Sequence, residues 1–301
     1  MDEKSLIHII KSTLKSSYIG DDCAYLNDLG IVITQDSLVE DVHFKRNLIT
    51  PYQLGYKTVM VNISDVCASG AKPMYLTISL SLPNCLNESF VKHFYEGAKT
   101  AAQDVTIVGG DLTGSDKIYI SATAIGTDKG RKISSRSNAK PGYKIIVSGE
   151  HGSSAYGLKL LLDKSTLCRK KGINNEFIKA HLMPAAQREF SQQIAENVSE
   201  DYAMMDTSDG LADALMQIAQ ASDVTISIDT SKIPHNPLIC MDTVLYGGED
   251  YQLVAAVPEH LLKKLDNYTI IGHVKEGQSG IEFDNIFYSN IDSRLYNHFK
   301  E

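Results

Sequence analysis

Strand-like and helix-like segments alternate along most of the chain, and this alternation limits the folds open to it more than any other feature. Apolar stretches rich in β-branched residues occupy positions 30–38, 73–83, 105–111, 117–126, 143–149 and 223–229. Apolar residues recur at helical spacing in 153–162, 186–198 and 210–221. Strands that alternate with helices form sheets covered by helices. The sequence therefore predicts an α/β or α+β fold.

Two helices of the first half carry signals for where they begin and end. Thr50 followed by Pro51 is typical of an N-cap and a first helical residue. The helix that they open would run to Gly70, a residue type that commonly ends helices. Asn87 is a second candidate N-cap, because apolar residues recur at helical spacing from Phe90 onward.

The length of 301 residues suits one large domain or two ordinary ones. Residues 128–143, DKGRKISSRSNAKPGY, are polar and rich in Gly, Pro and Ser, so they are the best candidate for a domain boundary. We predict an N-terminal α/β domain over residues 1–138 and a C-terminal α/β domain over residues 139–301.

Composition excludes several classes of protein. The chain is 43% hydrophobic and 22% charged, which is ordinary for a globular protein, and its net charge of −8 disfavours binding to nucleic acid or to anionic membrane. The five cysteines are odd in number and form no CxxC, which is typical of a reducing compartment. The start of the chain lacks signal-peptide features, and no apolar run reaches ~18 residues. We expect a cytoplasmic protein.

Carboxylates recur next to the predicted strands. Asp21 and Asp22 stand just before a strand, and those where a strand ends are Asp36, Asp111, Asp206 and Asp209. Taken alone, each has an ordinary explanation, since Asp209 for example also suits a cap for the helix that follows it. Asp65 is different because it falls inside a largely apolar helix, where a charge needs a partner or a metal ion.

Together these acids require positive charge, because several carboxylates cannot share a site without strong repulsion. Lys and Arg are scarce inside the motifs, and ligation by oxygen alone favours Mg²⁺, Mn²⁺ or Ca²⁺ over zinc. Mg²⁺ held by a few carboxylates takes its remaining ligands from water and substrate phosphates, which indicates phosphoryl transfer. No GxxxxGKS/T or GxGxxG occurs. SGEHGSS at 148–154 suits either a phosphate-binding loop or a capped helix start.

Seven motifs in order identify a family. They are GDDCA, TQDSLVEDVHF, VNISDVCASGAKP, GGDLT, SRSNAKPG, DTSDGLADAL and GGEDYQL. From about residue 18 to its end, the chain resembles the thiamine-monophosphate kinase family, in the superfamily of aminoimidazole ribonucleotide synthetase. The resemblance implies the two-domain fold of that superfamily, a homodimer formed by pairing of the N-terminal sheets, and ATP between the domains. It implies direct transfer of the ATP γ-phosphoryl group to thiamine monophosphate with several Mg²⁺ ions.

The resemblance also implies roles for individual residues. The implied metal ligands are Asp22 or Asp21, Thr34, Gln35 by side chain or backbone, Asp36, Asp65, Asp111, Asp206 and Asp209. Of these, Asp65, Asp111 and Asp209 are expected to act in catalysis. The implied nucleotide contacts are Tyr95, Gly110, Asp111, Arg136 and Ser208. The implied contacts with the thiamine substrate are His43, Glu249 and Tyr296.

Some positions depart from the family pattern. Asp41 stands where the family usually has Gly, and Leu112 separates GGD from its Thr. Gln187 takes the place of an expected Arg, and in the terminal LYNHF motif Leu295 and Asn297 replace Gly and Asp. None of these changes removes an implied metal ligand.

Other functions compete with this interpretation. A selenophosphate synthetase needs a reactive cysteine in a Gly-rich segment, whereas Cys23 lies in GDDCA, and a hydrogenase-maturation relative ends in a cysteine, whereas the last one here is Cys240. Aminoimidazole ribonucleotide synthetases are normally longer. A non-catalytic binder of ATP or thiamine phosphate is disfavoured because the whole set of acids is retained. Without the resemblance, His43 would be taken as a structural histidine.

Overall fold

Two β-sheets form the framework of the computed structural model, which describes residues 3–163 and 174–295. The strands of the first sheet are β1 (Ala24–Leu26), β2 (Ile31–Val39), β3 (Lys72–Leu82), β4 (Thr106–Gly114) and β5 (Tyr119–Thr127). Their order is β1-β2-β5-β3-β4, and all neighbours are antiparallel except β3 and β4. The strands predicted from β-rich patterns in this half are confirmed, and β4 runs three residues further than predicted.

Three helices accompany the first sheet: α1 (Glu3–Leu14), α2 (Pro51–Ala68) and α3 (Glu88–Ala102). The predicted N-caps are confirmed, because Thr50 Oγ1 accepts a hydrogen bond from the Gln53 backbone N–H and Asn87 Oδ1 accepts one from Phe90. Gln53 returns a bond to the Thr50 backbone N–H, completing a capping box. Gly70 follows α2 with a φ of 83°, a conformation that glycine adopts without strain.

The second sheet has seven strands, and its order is β12-β11-β8-β10-β6-β9-β7. The strands are β6 (Lys144–Val147), β7 (Ala203–Asp206), β8 (Thr225–Ile228), β9 (Leu253–Val257), β10 (Thr269–Lys275), β11 (Gly280–Phe283) and β12 (Ile286–Tyr288). The helices are α4 (Ser153–Leu162), α5 (Asn174–Leu182), α6 (Arg188–Asn197), α7 (Leu211–Ser222) and α8 (Met241–Tyr246). The elements predicted between residues 143 and 229 are confirmed within two residues, whereas β9 to β12 were not predicted from the sequence.

Helix α2 lies in the core between the two sheets. Its apolar side chains, such as Ile63, pack against the first sheet and in the same cluster as Met204 of β7 and Ala255 of β9. A helix surrounded by protein does not confine its apolar residues to one stripe, which is why α2 has little amphipathic pattern. No helix in the described part of the chain combines the length and apolar character needed to cross a bilayer.

Candidate active site

Three aspartates from distant parts of the chain meet where the two sheets face each other. Asp22 precedes β1, Asp65 lies on α2 and Asp206 ends β7. One carboxylate oxygen of each lies within 4.8 Å of those of the other two. Asp36 of β2 belongs to the same group, because its charge raises the pKa of both Asp65 and Asp206. Four residues predicted as metal ligands are thus brought together.

Burial is the main reason why the pKa of each of these four carboxyl groups is raised, and mutual repulsion adds to it. The pKa rises to about 6 for Asp22 and to about 6 for Asp36. For Asp65 it rises well above its ordinary value. Arg136 is the cation that opposes this rise at Asp22. A buried set of oxygen donors that repel one another fits the ligand preference of Mg²⁺.

Hydroxyl groups orient these carboxylates. Thr34 Oγ1 donates to Asp65 Oδ2 at 2.7 Å, so this predicted ligand reaches the group through Asp65. Ser64 Oγ donates to one oxygen of Asp206 at 2.6 Å, and Ser208 Oγ donates to the other at 2.8 Å. Both oxygens of Asp206 are therefore directed by neighbouring side chains.

Two tight turns build the site on the side of the second sheet. The turn after β7 contains Ser208 and ends at Gly210, whose φ of 105° starts α7. Glu249 donates its backbone N–H to Ser208 O at 2.6 Å, which joins this turn to the GGED segment. A Cβ on Gly248 would lie 2.5 Å from Ser208 O, so only glycine allows this approach.

Arg136 lies beside the aspartates. Its Nη2 is 3.1 Å from Asp22 Oδ1, and its Nη1 donates to Gln217 of α7. Arg136, which was predicted to contact the nucleotide, thus neutralises part of the negative charge of the aspartates in this structure. Asp21 has another role, because its Oδ1 accepts hydrogen bonds from the backbone N–H of Arg136 at 2.7 Å and from Ser135 Oγ at 3.2 Å. Of the two alternatives, Asp22 is the one placed in the carboxylate group.

Two of the predicted substrate contacts, His43 and Glu249, also lie near each other. Burial raises the pKa of Glu249, but the charge and hydrogen bond of Lys57, with smaller effects from His181 and His43, outweigh it and hold the value below its usual range. Lys57 Nζ lies 2.9 Å from Glu249 Oε1, and His181 Nδ1 lies 3.2 Å from Oε2. The Val39 backbone N–H donates to His43 Nδ1 at 3.0 Å, which leaves Nε2 to carry the proton of the neutral ring.

Sequence reasoning missed Lys57 and His181. For Lys57 a signal exists, since it precedes Asp65 by two helical turns on α2 and so lies on a similar side. For His181, on a separate helix, nothing in the sequence indicates that it faces Glu249.

Tyr251 lies near both the four aspartates and Glu249. Its hydroxyl is buried, and its pKa is raised first by burial and then by the charges of Glu249, Asp36, Asp206 and Asp209. The predicted ligand Asp209 is therefore close to the site, although it is exposed and its carboxylate is not one of the three that lie within 4.8 Å.

Other predicted residues lie elsewhere. Tyr95, Gly110 and Asp111 line a groove along the edge strand β4, apart from the four aspartates. Gln35 points to the face of the first sheet opposite Asp36, where its Oε1 accepts a hydrogen bond from Thr123 Oγ1 at 3.0 Å. Tyr296 lies outside the described residues.

The SGEHGSS segment holds a side chain of the protein itself. The carboxylate of Asp250 accepts hydrogen bonds from the backbone N–H groups of Ser154, at 2.8 Å, and of Gly152. The N-terminal end of α4 is thus occupied by an acid, where the helix dipole favours one. Gly152 is the N-cap of this helix.

Comparison with known proteins first defines the class. The family described as "AIR synthase related protein, N-terminal domain" matches residues 20–127, which include the whole first sheet. The structure superposes on that of AaThiL complexed with AMPPCP and TMP with a TM-score of 0.88 and 34% identity, covering 99% of this chain and 97% of the other. The fold is therefore that of the AIR synthase-like proteins.

Full-length relatives define the family within this class. The thiamine-monophosphate kinase of Aquifex aeolicus is 36% identical over 92% of this chain and 93% of its own. That of Bacillus subtilis is 35% identical over 100% of both chains. The chain belongs to the thiamine-monophosphate kinase family.

Proposed function

We propose that this protein transfers the γ-phosphoryl group of ATP to thiamine monophosphate, giving thiamine diphosphate and ADP. The observation that carries the proposal is the group of four partly or fully buried aspartates, placed near the pair His43 and Glu249. Support comes from the names of the full-length relatives and from the AaThiL complex with AMPPCP and TMP.

We propose that Asp22, Asp36, Asp65 and Asp206 hold Mg²⁺, with Asp209 at the edge of the site. Mg²⁺ bound there would neutralise the charge of the phosphate groups during transfer. Thr34, Ser64 and Ser208 keep the carboxylates oriented, so that little reorganisation is required when the substrates bind.

The phosphate oxygen of the acceptor is ionised at neutral pH, so we propose direct transfer without a side-chain base and without a phosphorylated enzyme. Arg136 would exchange part of its contact with Asp22 for a phosphate of ATP, which matches the planar donor pattern of its guanidinium. The groove with Tyr95, Gly110 and Asp111 is the proposed contact surface for the nucleotide.

We propose that the chain forms a homodimer through the face of the first sheet that the helices of the described residues leave uncovered. Tyr75 and Tyr119 of this face are 44% and 43% exposed, which is high for large side chains on inner strands. The proposed boundary between domains 1–138 and 139–301 falls between the two sheets. The proposed location is the cytoplasm.

The decisive experiment measures thiamine diphosphate by chromatography and ADP by a coupled assay, with ATP and Mg²⁺, in the presence and absence of thiamine monophosphate. We expect equal amounts of both products, formed only with the acceptor. Asp206→Asn should lower turnover by about a hundredfold or more, because it removes a charge from the centre of the acidic group. Asp116→Asn, at an exposed aspartate outside the site, is the matched control.

Two results would contradict the proposal. Metal-dependent binding of ATP without any thiamine diphosphate would point to another acceptor. Binding of both ligands without release of ADP would support the non-catalytic alternative.

His43→Ala tests the acceptor side separately. Since His43 lies near Glu249, we expect its loss to raise KM for thiamine monophosphate by about tenfold and to leave KM for ATP within about twofold. A change in KM for ATP alone would show that His43 is wrongly assigned to the acceptor.

A further inference from the structure

A lysine is buried beside the proposed acceptor site. Only 1% of the Lys57 side chain is exposed, and its ammonium group lies 2.9 Å from Glu249 Oε1. A charge so deeply buried requires a counter-charge, and among the described residues Glu249 is the acid within ion-pair distance of Lys57. Lys57 belongs to α2 and Glu249 to the turn before β9, so the pair joins the two halves of the molecule.

His181 of α5 contacts the other oxygen of the same carboxylate, at 3.2 Å. Burial lowers the pKa of His181 to about 4, so the ring is neutral at physiological pH. Because an ionised carboxylate only accepts hydrogen bonds, Nδ1 facing it carries the ring proton. Ser154 Oγ lies 3.1 Å from the same nitrogen, so its oxygen accepts a share of the same N–H.

The backbone beneath Glu249 is held in an unfavourable conformation. Its φ of 66° lies in the left-handed region, which a side chain makes costly. Such a conformation persists only where contacts determine it. The contacts here are the hydrogen bond from the Glu249 N–H to Ser208 O and the two side chains on its carboxylate.

The three side chains differ in how far they reach solvent. Lys57 and His181 are 1% and 7% exposed, whereas 26% of the Glu249 side chain is exposed. The two donors are therefore more deeply buried than the carboxylate that they hold. A carboxylate accepts about four hydrogen bonds, so Glu249 retains capacity toward the open side of the site.

We propose that Lys57 and His181 are positioning residues, which hold the Glu249 carboxylate ionised and directed at the acceptor. The carboxylate would then accept hydrogen bonds from the N–H groups of a cationic heterocycle or pair with its positive charge. This inference rests on the proposed function, because thiamine monophosphate carries both an aminopyrimidine and a thiazolium. It adds a reason for selecting that acceptor: the carboxylate keeps its orientation before the ligand arrives, which reduces the cost of binding.

Steady-state kinetics on Lys57→Met test this role. We expect KM for thiamine monophosphate to rise by about tenfold or more, with KM for ATP within about twofold of the original. Glu249→Gln should have a similar effect, and the double variant Lys57→Met/Glu249→Gln should be no worse than Glu249→Gln alone, because Lys57 acts through Glu249. Thr58→Val, at the buried neighbouring residue on α2, should leave both KM values unchanged.

A second variant covers the case in which Lys57→Met does not fold. His181→Phe keeps an aromatic ring but removes the donor, and it should raise KM for thiamine monophosphate by about threefold or more without changing KM for ATP. Unchanged acceptor KM in a folded Lys57→Met or His181→Phe protein would overturn the positioning role while the proposed function stands.

Calorimetric titration with thiamine monophosphate in the absence of ATP separates the two proposals. Wild-type protein that neither binds this ligand nor forms thiamine diphosphate would overturn the proposed function and this inference with it. Wild-type protein that binds it, together with about tenfold weaker binding by Lys57→Met, would support the inference independently of turnover.

Discussion

Asp22, Asp36, Asp65 and Asp206 lie together, partly or fully buried, and the charges around them do not balance. Arg136 contacts one of the four, at Asp22. Interior carboxylates of this kind are costly to ionise, so the site is unfavourable for stability unless cations enter it. Loss of stability at a functional site is a common consequence of preparing it for a charged ligand.

The pKa values of these residues predict how stability depends on pH. For Asp22 and Asp36 the pKa is about 6 in the folded protein against an ordinary value of 3.8. Because the folded protein binds these protons more tightly than the unfolded chain, protonation of the two groups stabilises the fold. This contribution is fully present below pH 3.8 and is lost as the pH rises through about 6. Without divalent cations, these groups should therefore make the protein less stable at neutral pH than their protonated forms would.

Mg²⁺ should restore that stability where the aspartates are ionised. We expect MgCl₂ to raise Tm by about 5 °C near neutral pH and by about 1 °C at roughly pH 5, where protons compete. NaCl at matched ionic strength is the control, and Asp65→Asn should remove most of the Mg²⁺ effect. An equal Mg²⁺ effect in Asp65→Asn and in the original protein would show that the ion binds elsewhere.

Helices α2 and α3 pack unusually closely, and two glycines allow it. A Cβ on Gly55 of α2 would lie 1.9 Å from Phe94 O, and one on Gly97 of α3 would lie 1.8 Å from Tyr52 O. Each glycine thus accommodates the backbone of the other helix. The close approach keeps α2, with Lys57 and Asp65 on it, in a fixed position between the sheets.

Gly97→Ala should destabilise the protein, although helix propensity alone predicts the opposite. Alanine favours an isolated helix over glycine by about 1 kcal/mol. Here the added methyl group meets backbone atoms, and the forced separation of the helices should lower the free energy of unfolding by about 3 kcal/mol. Chemical denaturation measures this change. Gly114→Ala, where a Cβ meets nothing within 4 Å, is the control and should be nearly neutral.

At the scale of the whole molecule, one face of the first sheet is left without a cover by the residues that the structure describes. Ser37, Ser121, Ser79 and Asp111 form a row across β2, β5, β3 and β4 on this face. Small and polar side chains such as these allow a second sheet to approach closely. A second copy of the chain is the cover that we propose.

Ser79→Arg tests the dimer, because it places a long charged side chain near the middle of this face. We expect the original protein to sediment as a species of two 33.1 kDa chains and the variant to sediment as one. Lys72→Glu, an exposed change at the start of the same strand, should leave the dimer intact. A monomer at every concentration of the original protein would refute the proposed homodimer.

Local properties of the sequence determined much of this protein. The alternation of strands and helices, the caps at Thr50 and Asn87 and the end of α2 at Gly70 depend on neighbours within a few residues, so pattern alone predicted them. Strands β9 to β12 were not predicted, because in a sheet the pairing partners, more than intrinsic preference, decide a strand.

The site shows the same division between local and tertiary information. The sequence indicated that the acids of the site needed a cation, because their positions beside predicted strands and inside an apolar helix can be read from neighbouring residues. Only the tertiary structure placed Ser64 on Asp206 across 142 residues, chose Asp22 over Asp21, and set Lys57 and His181 on Glu249. These contacts join residues far apart in the chain, and their existence depends on how α2 packs between the two sheets, which no local pattern encodes.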